Sequence, residues 1–106
     1  MGQAIQVATT TATQSDADRI AQALVQQRLA ACVQISGPIT SCYWWQETIE
    51  TATEWVCTVK TTGTAYAKVE AVIRQLHTYD EPEIIAVPIV AGSRGYLQWL
   101  EDQVGE

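Results

Sequence analysis

Residues 31–62 read ACVQISGPITSCYWWQETIETATEWVCTVKTT, and this stretch decides the fold because it predicts one long β-hairpin. Both arms are rich in valine, isoleucine, threonine and aromatic residues, whose side chains suit a pleated strand. Residues 46–48 form the only polar gap between Trp45 and Ile49, so they mark the turn. Each arm then has about fifteen residues and a length on the order of 50 Å.

The hairpin is too long for the domain that carries it. A compact domain of this length has a radius of gyration of about 13 Å, so the tip must extend beyond it. The projecting part carries Tyr43, Trp44, Trp45 and Trp55, and each such ring can bury about 150–250 Å². Soluble monomers rarely expose patches of this size, and an isolated hairpin is marginally stable. These four residues are therefore predicted to lie in an interface between copies of the chain.

The composition limits the possible architectures and partners. With 106 residues, the chain predicts a single domain over residues 1–106. Twelve acidic residues against six basic ones give a net charge of −6, which argues against a nucleic-acid partner because phosphate repels such a surface. The N-terminal sequence MGQAIQVATTT has neither a cationic flank nor a long apolar run. We therefore expect no signal peptide, no membrane partner and a cytoplasmic location.

The three cysteines do not form a metal-binding or redox motif. Cys32, Cys42 and Cys57 include no CxxC pair, and their number is odd. An undistorted hairpin register places Cys42 opposite Ala52 and Cys57 opposite Gly37, which separates these two thiols by more than the roughly 7 Å Cα limit for a disulfide. We expect reduced thiols.

The rest of the chain alternates between strand and helix patterns. Residues 4–9 predict a short strand, and a hydroxyl-rich loop over residues 9–15 follows it. Ser15 and Asp18 fit a capping box at the start of a helix that runs to about Leu29. Within the hairpin, Gly37-Pro38 predicts a bulge, because proline cannot donate to a ladder.

The second half repeats this alternation. Thr64 is predicted to cap a helix that ends near His77, and the apolar run over residues 84–91 predicts a strand well inside the sheet. Ser93 starts a final helix, which is predicted to dock through Tyr96, Leu97, Trp99 and Leu100. The element order predicts an α+β, ferredoxin-like βαββαβ sandwich with an extra C-terminal helix.

One cluster of possible metal ligands stands out. It lies within seven residues at a helix-to-strand junction and comprises His77, Tyr79, Asp80, Glu81 and Glu83. An imidazole beside carboxylates suits a divalent ion such as copper(II). A histidine in the last turn of a helix also satisfies free carbonyls, and loop carboxylates are usually solvated. The residues alone leave both interpretations open.

Catalysis is not indicated. His77 has no evident nucleophile beside it, and the loop over residues 9–15 lacks the Lys, Arg or Gly that a phosphate site needs. We therefore expect a protein that is not an enzyme.

Five blocks of sequence resemble the CutA divalent-cation tolerance proteins. These blocks span residues 31–100 and comprise Ala31-Cys32-Val33, Thr40-Ser41 before Tyr43-Trp44-Trp45, Lys60-Thr61, His77 and Tyr79 ahead of Pro82-Glu83-Ile84, and Tyr96-Leu97 with Trp99. The resemblance implies a ferredoxin-like fold, a homotrimer built through the long hairpins, and an association with tolerance of copper and other divalent metals. It also implies kinship in shape with the trimeric PII signalling proteins.

The resemblance adds weight to a metal-binding interpretation of the ligand cluster, beside the structural one. The resulting hypothesis is a cytoplasmic homotrimer that binds copper(II) or another divalent cation weakly at His77, helped by Tyr79, Glu83 or Cys32. The alternatives are a PII-like sensor of a small anionic ligand and a purely structural or interaction trimer. In a sensor, Lys60, Lys68 or Arg74 would supply the counter-charge.

Overall fold

The computed structural model describes residues 3–105 and has four strands and three α-helices within them. In chain order they are β1 (Ala4–Thr11), α1 (Gln14–Gln26), β2 (Cys32–Trp45), β3 (Thr48–Thr62), α2 (Tyr66–Leu76), β4 (Ile85–Pro88) and α3 (Arg94–Gln103). The predicted order of elements is confirmed.

The strands form one antiparallel sheet in the order β2-β3-β1-β4. The core lies between this sheet and the first two helices, where fully buried apolar side chains of α1 and α2 meet those of β1 and β3, namely Ile20, Leu24, Val69, Ile73, Val7 and Val59. Two helices packed on a four-stranded antiparallel sheet give the predicted ferredoxin-like arrangement.

The position predicted for β4 is wrong. This strand pairs only with β1 and forms an edge of the sheet, and its residues Ile85 and Val87 are about half exposed. The apolar run over residues 84–91 therefore does not reflect a strand enclosed within the sheet of its own chain.

The boundaries around α1 also differ from the prediction. The N-cap is Thr13, whose Oγ1 accepts the N–H of Asp16 at 3.1 Å, so Ser15 lies inside the helix. The helix ends at Gln26 because Arg28 turns the backbone to a positive φ of 59°. β1 continues past Thr9 to Thr11, since its last residues still pair with β3.

The start of α2 departs from the prediction, and the apolar residues of α3 differ in their burial. Thr64 lies within a short 3₁₀-helix, Gly63–Ala65, and Ala65 rather than Thr64 is the N-cap of α2. In α3, Leu100 is fully buried, whereas Trp99 is 41% exposed. Trp99 contacts the ring of Tyr96 at 5.5 Å between centroids. Tyr96 lies one helical turn before the fully buried Leu100, and both rings are 41% exposed, so they border the buried face of α3. The docking role of Trp99 stays a prediction.

The hairpin has the predicted bulge and a different register. Its turn has only two central residues, 46 and 47, both with positive φ, as in a type I′ turn. The bulge between Ser36 and Ile39 shifts the pairing again, so Cys42 lies opposite Thr51 and Cys57 opposite Ile35. All three cysteines fall within the described residues and are free.

The hairpin extends well beyond the rest of the sheet. The last pair between β1 and β3 is Thr11 with Trp55, so residues 48–54 pair only with β2. Seven residue pairs then form a two-stranded ribbon about 23 Å long. The molecule accordingly measures 44 × 25 × 21 Å. The predicted overhang is confirmed.

Candidate functional site

His77 is fixed directly after the last residue of α2. The backbone N–H of Tyr79 donates to its Nδ1 at 3.1 Å, and its Nε2 lies 2.8 Å from the carbonyl oxygen of Thr10 in β1. An amide N–H only donates and a carbonyl only accepts, so the neutral ring carries its proton on Nε2. The imidazole therefore holds the segment that follows α2 against the end of β1.

Glu54 is a buried carboxylate at the base of the overhanging ribbon. Only 7% of this residue is exposed, and each carboxylate oxygen accepts one hydroxyl. Ser41 Oγ donates to Oε1 at 2.7 Å, and the Tyr79 hydroxyl donates to Oε2 at 2.7 Å. Burial, followed by the hydrogen bond to Glu54, raises the pKa of the Tyr79 phenol well above its ordinary value. The phenol therefore stays protonated and remains a donor.

These contacts form one continuous polar network. It runs from Thr10 through His77 and Tyr79 to Glu54 and Ser41 and joins three strands to the segment after α2. The rings of His77 and Tyr79 also touch, with centroids 4.9 Å apart and planes inclined at 41°. We refer to these five residues as the polar network.

The structure brings together only part of the predicted metal ligand set. His77 and Tyr79 are neighbours in the polar network, and Glu83 is exposed outside it. Cys32 lies opposite Lys60 of β3. Lys60 pairs in turn with Gln6 of β1, which is four residues before Thr10. That separation is about 13 Å along the strand. Within residues 3–105, no group of three or more His, Cys, Asp or Glu side chains is placed to hold a metal ion.

The donor atoms of one chain do not fit a ready-made metal site. The lone pair of the His77 ring is on Nδ1 and already accepts a hydrogen bond, while the Tyr79 phenol keeps its proton and donates it to Glu54. A metal ligand needs a free lone pair. The other interpretation is that His77 satisfies free carbonyls, and its ring does contact one, the carbonyl oxygen of Thr10 in β1. Metal binding at His77 stays a prediction.

Sequence reasoning missed Glu54 and Ser41 as members of this network. Glu54 and Glu50 occupy similar positions in one strand, and no local pattern distinguishes the buried carboxylate from the exposed one. The only available signal was the proximity of Ser41 to the bulge at Gly37-Pro38, where β2 changes register.

The aromatic residues assigned to an interface fall into two groups. Trp44 and Trp45 are 71% and 58% exposed, and Tyr43 is exposed beside them. Trp55 is partly buried and lies against the backbone of Gly37 in its own chain. Neighbouring residues of a strand face opposite sides, so the ribbon presents a tryptophan on each face. The interface role of these residues stays a prediction.

Two of the three cations that a PII-like sensor would use already have partners in the chain. Lys60 Nζ donates to Gln34 Oε1 at 2.7 Å, and Arg74 pairs with Glu70 at 3.0 Å. Lys68 lines a shallow cleft of about 280 Å³ between the start of α2 and the C-terminal segment. The three cations do not share one described pocket among residues 3–105.

Comparison with known proteins places this fold and sequence in a family. A family model described as CutA1 divalent ion tolerance protein matches residues 5–103. The chain belongs to the CutA1 family. Two relatives are each called divalent-cation tolerance protein CutA. The protein from Thermus thermophilus is 46% identical over 86 residues, covering 81% of this chain and 84% of its own. The protein from Archaeoglobus fulgidus is 42% identical over 89 residues, covering 84% and 86%.

Solved CutA1 structures share the whole fold. A structure from Thermus thermophilus superposes with a TM-score of 0.94 at 42% identity, covering 96% of this chain and 99% of its own. The structure of CutA1 from Oryza sativa gives a TM-score of 0.95 at 33% identity, covering 99% and 96%. The structure from Archaeoglobus fulgidus, described as a periplasmic protein, gives 0.93 at 37% identity, covering 96% and 99%.

Neither the family nor the helices fix a location for the chain. None of the helices in residues 3–105 has the length and hydropathy needed to cross a bilayer. The cytoplasmic location expected from the sequence stays a prediction.

Proposed function

We propose that this CutA1 protein acts in divalent-cation tolerance as a non-enzymatic homotrimer assembled through its β2–β3 hairpins. The observation that carries the proposal is the overhanging ribbon, which exposes Trp44, Trp45 and Ile49 to solvent in a single chain. Burial of such side chains contributes about 1.5–3 kcal/mol each. Contact with sister copies removes this surface from water and braces a ribbon that has no third strand.

The trimer is tested by its mass in dilute solution. We expect sedimentation equilibrium to give three times the 11.6 kDa of one chain. Replacing Trp44 and Trp45 together by serine removes an aromatic ring from each face of the ribbon, so we expect dissociation toward smaller species. The control is Val25→Ser, which changes an exposed apolar residue of α1 and should leave the mass unchanged. A folded wild-type monomer would contradict the proposal.

The cation is proposed to bind as a weakly held ligand, with His77 as the candidate imidazole. His77 is the single histidine of the chain, and neutral imidazole suits copper(II). An ion that takes Nδ1 must displace the N–H of Tyr79, which leaves that donor without its partner. Loss of such a hydrogen bond costs about 1–3 kcal/mol when the donor is buried, so the affinity should be low.

Copper(II) titration by calorimetry tests this part of the proposal. We expect weak binding to the wild type and, for His77→Ala, at least a tenfold weaker affinity, because no other imidazole replaces the lost one. The matched control is Gln75→Ala on the exposed surface of α2. Equal affinities for His77→Ala and wild type would exclude His77 as the ligand, while circular dichroism of both variants checks that the fold persists.

A further inference from the structure

We propose that Glu54, with the hydroxyls of Ser41 and Tyr79, couples the segment after α2, residues 77–83, to the direction of the hairpin. We call these three hydrogen-bonded residues the latch. The segment and the hairpin are distant in the sequence, since Tyr79 and Glu54 are 25 positions apart. The carboxylate nonetheless joins them through one hydroxyl from each side, Ser41 from the hairpin and Tyr79 from the segment.

The latch lies where the hairpin loses the support of the sheet. Trp55 is the last β3 residue that pairs with β1, and Glu54 is the next residue toward the tip. On the partner strand, the bulge between Ser36 and Ile39 interrupts the ladder at the same level. A bulge bends and twists the strand that contains it. The direction in which the ribbon leaves the sheet is therefore determined locally, at the position that Glu54 occupies.

Burial of the carboxylate makes the two hydroxyl contacts interdependent. Glu54 is 7% exposed and has no salt bridge among the described residues, so hydroxyl donors carry much of its stabilisation. Both contacts, at 2.7 Å, have the usual length of a hydroxyl hydrogen bond. A buried carboxylate that loses one donor is destabilised, so movement on either side weakens the arrangement on the other.

His77 sets the position of the Tyr79 end of the latch. Its Nδ1 accepts the Tyr79 N–H, and its ring contacts the Tyr79 ring. A ligand that occupies Nδ1 therefore shifts Tyr79 and, through the phenol, Glu54 and the ribbon. Coupling between two sites is reciprocal, so contacts made by the ribbon also affect the segment. The latch itself does not depend on the proposed metal binding, because its contacts exist in the protein alone.

Amide hydrogen exchange of two single-atom variants tests the coupling. Tyr79→Phe removes one hydroxyl and keeps the ring, and Ser41→Ala removes the other hydroxyl. We expect Tyr79→Phe to speed exchange in the hairpin, residues 39–54, and Ser41→Ala to speed exchange in residues 77–83. The expected change is about tenfold in each case, the effect of losing one charge-assisted hydrogen bond.

Two matched variants and a mass measurement keep the test decisive. Tyr96→Phe removes an exposed phenol from α3, and Thr40→Ala changes an exposed residue beside Ser41; both should leave the two regions unaffected. Exchange that rises only around each substituted residue would overturn the proposal. It would also be overturned if hairpin exchange in Tyr79→Phe rose only under conditions in which sedimentation shows dissociation. Exchange that rises across the latch at unchanged mass supports it.

Discussion

Gly37→Ala is expected to lower the free energy of unfolding by about 2–4 kcal/mol, the sum of backbone strain and overpacking. Gly37 has a φ of +157°, where side chains other than hydrogen are disfavoured. A Cβ built at this position would lie 2.5 Å from Cδ1 of Trp55 and 3.1 Å from the carbonyl oxygen of Glu54. The indole is partly buried and the carbonyl belongs to the ladder, so neither gives way without disturbing the base of the hairpin.

Urea unfolding of the variant and wild type at one chain concentration measures this effect, because self-association makes stability concentration-dependent. The control is Gly95→Ala in α3, where an added Cβ meets nothing within 4 Å. That change should be neutral or stabilise the protein by up to about 1 kcal/mol, since alanine favours a helix. Equal stability of Gly37→Ala and wild type would show that the indole moves away at little cost.

Leu100→Ala is expected to lower the free energy of unfolding by about 2–5 kcal/mol, the range for emptying a fully buried leucine site. Leu100 is the only α3 residue among those described that is completely buried. Its loss leaves α3 held by side chains that are only partly buried, among them Leu97 and Trp99. Thermal unfolding followed by circular dichroism, again at matched chain concentration, measures the loss.

The matched control for this change is Gln98→Ala, two residues away on the exposed side of the same helix. Its amide bonds only to Asp102 within the helix, so we expect a change within about 0.5 kcal/mol, as at other surface positions. If Leu100→Ala behaved like Gln98→Ala, docking of α3 would contribute little to the stability of the fold, and the helix would have to be held mainly by other contacts.

Much of the fold could be predicted because its signals are local. Alternating β-branched and aromatic residues predict the hairpin, and Gly37-Pro38 predicts the bulge that the register confirms. The apolar stripe of α2 predicts its burial, as Val69 and Ile73 show. Helix and strand patterns depend on residues that are neighbours along the chain, so a single sequence is enough to predict them.

The errors arise where the chemistry of a segment does not reveal what covers it. The apolar run that contains β4 predicts burial, yet in its own chain β4 is an exposed edge. Trp99 likewise belongs to an apolar helix pattern, and 41% of it is exposed in its own chain. The hydrophobicity of a segment indicates that its surface is buried. It does not indicate whether the same chain or another chain covers that surface.

The polar network was predictable only in part. The cluster that follows α2 drew attention to His77 and Tyr79, which the structure does bring together. Their partners, Glu54 and Thr10, come from β3 and β1, and the contact depends on three-dimensional register rather than spacing. A single sequence carries no direct signal for a carboxylate that becomes buried through such long-range contacts.

The position of β1 has a consequence for synthesis. This strand precedes both of its partners in the chain, which lie from Trp55 onward in β3 and at Ile85–Pro88 in β4. The two arms of the hairpin are adjacent in the chain and can pair as soon as both have left the ribosome. The backbone groups on both sides of β1 stay unpaired for longer, because β3 and β4 are made later. Until those partners are made, unpaired edges of β1 are open to pairing with strands of other chains.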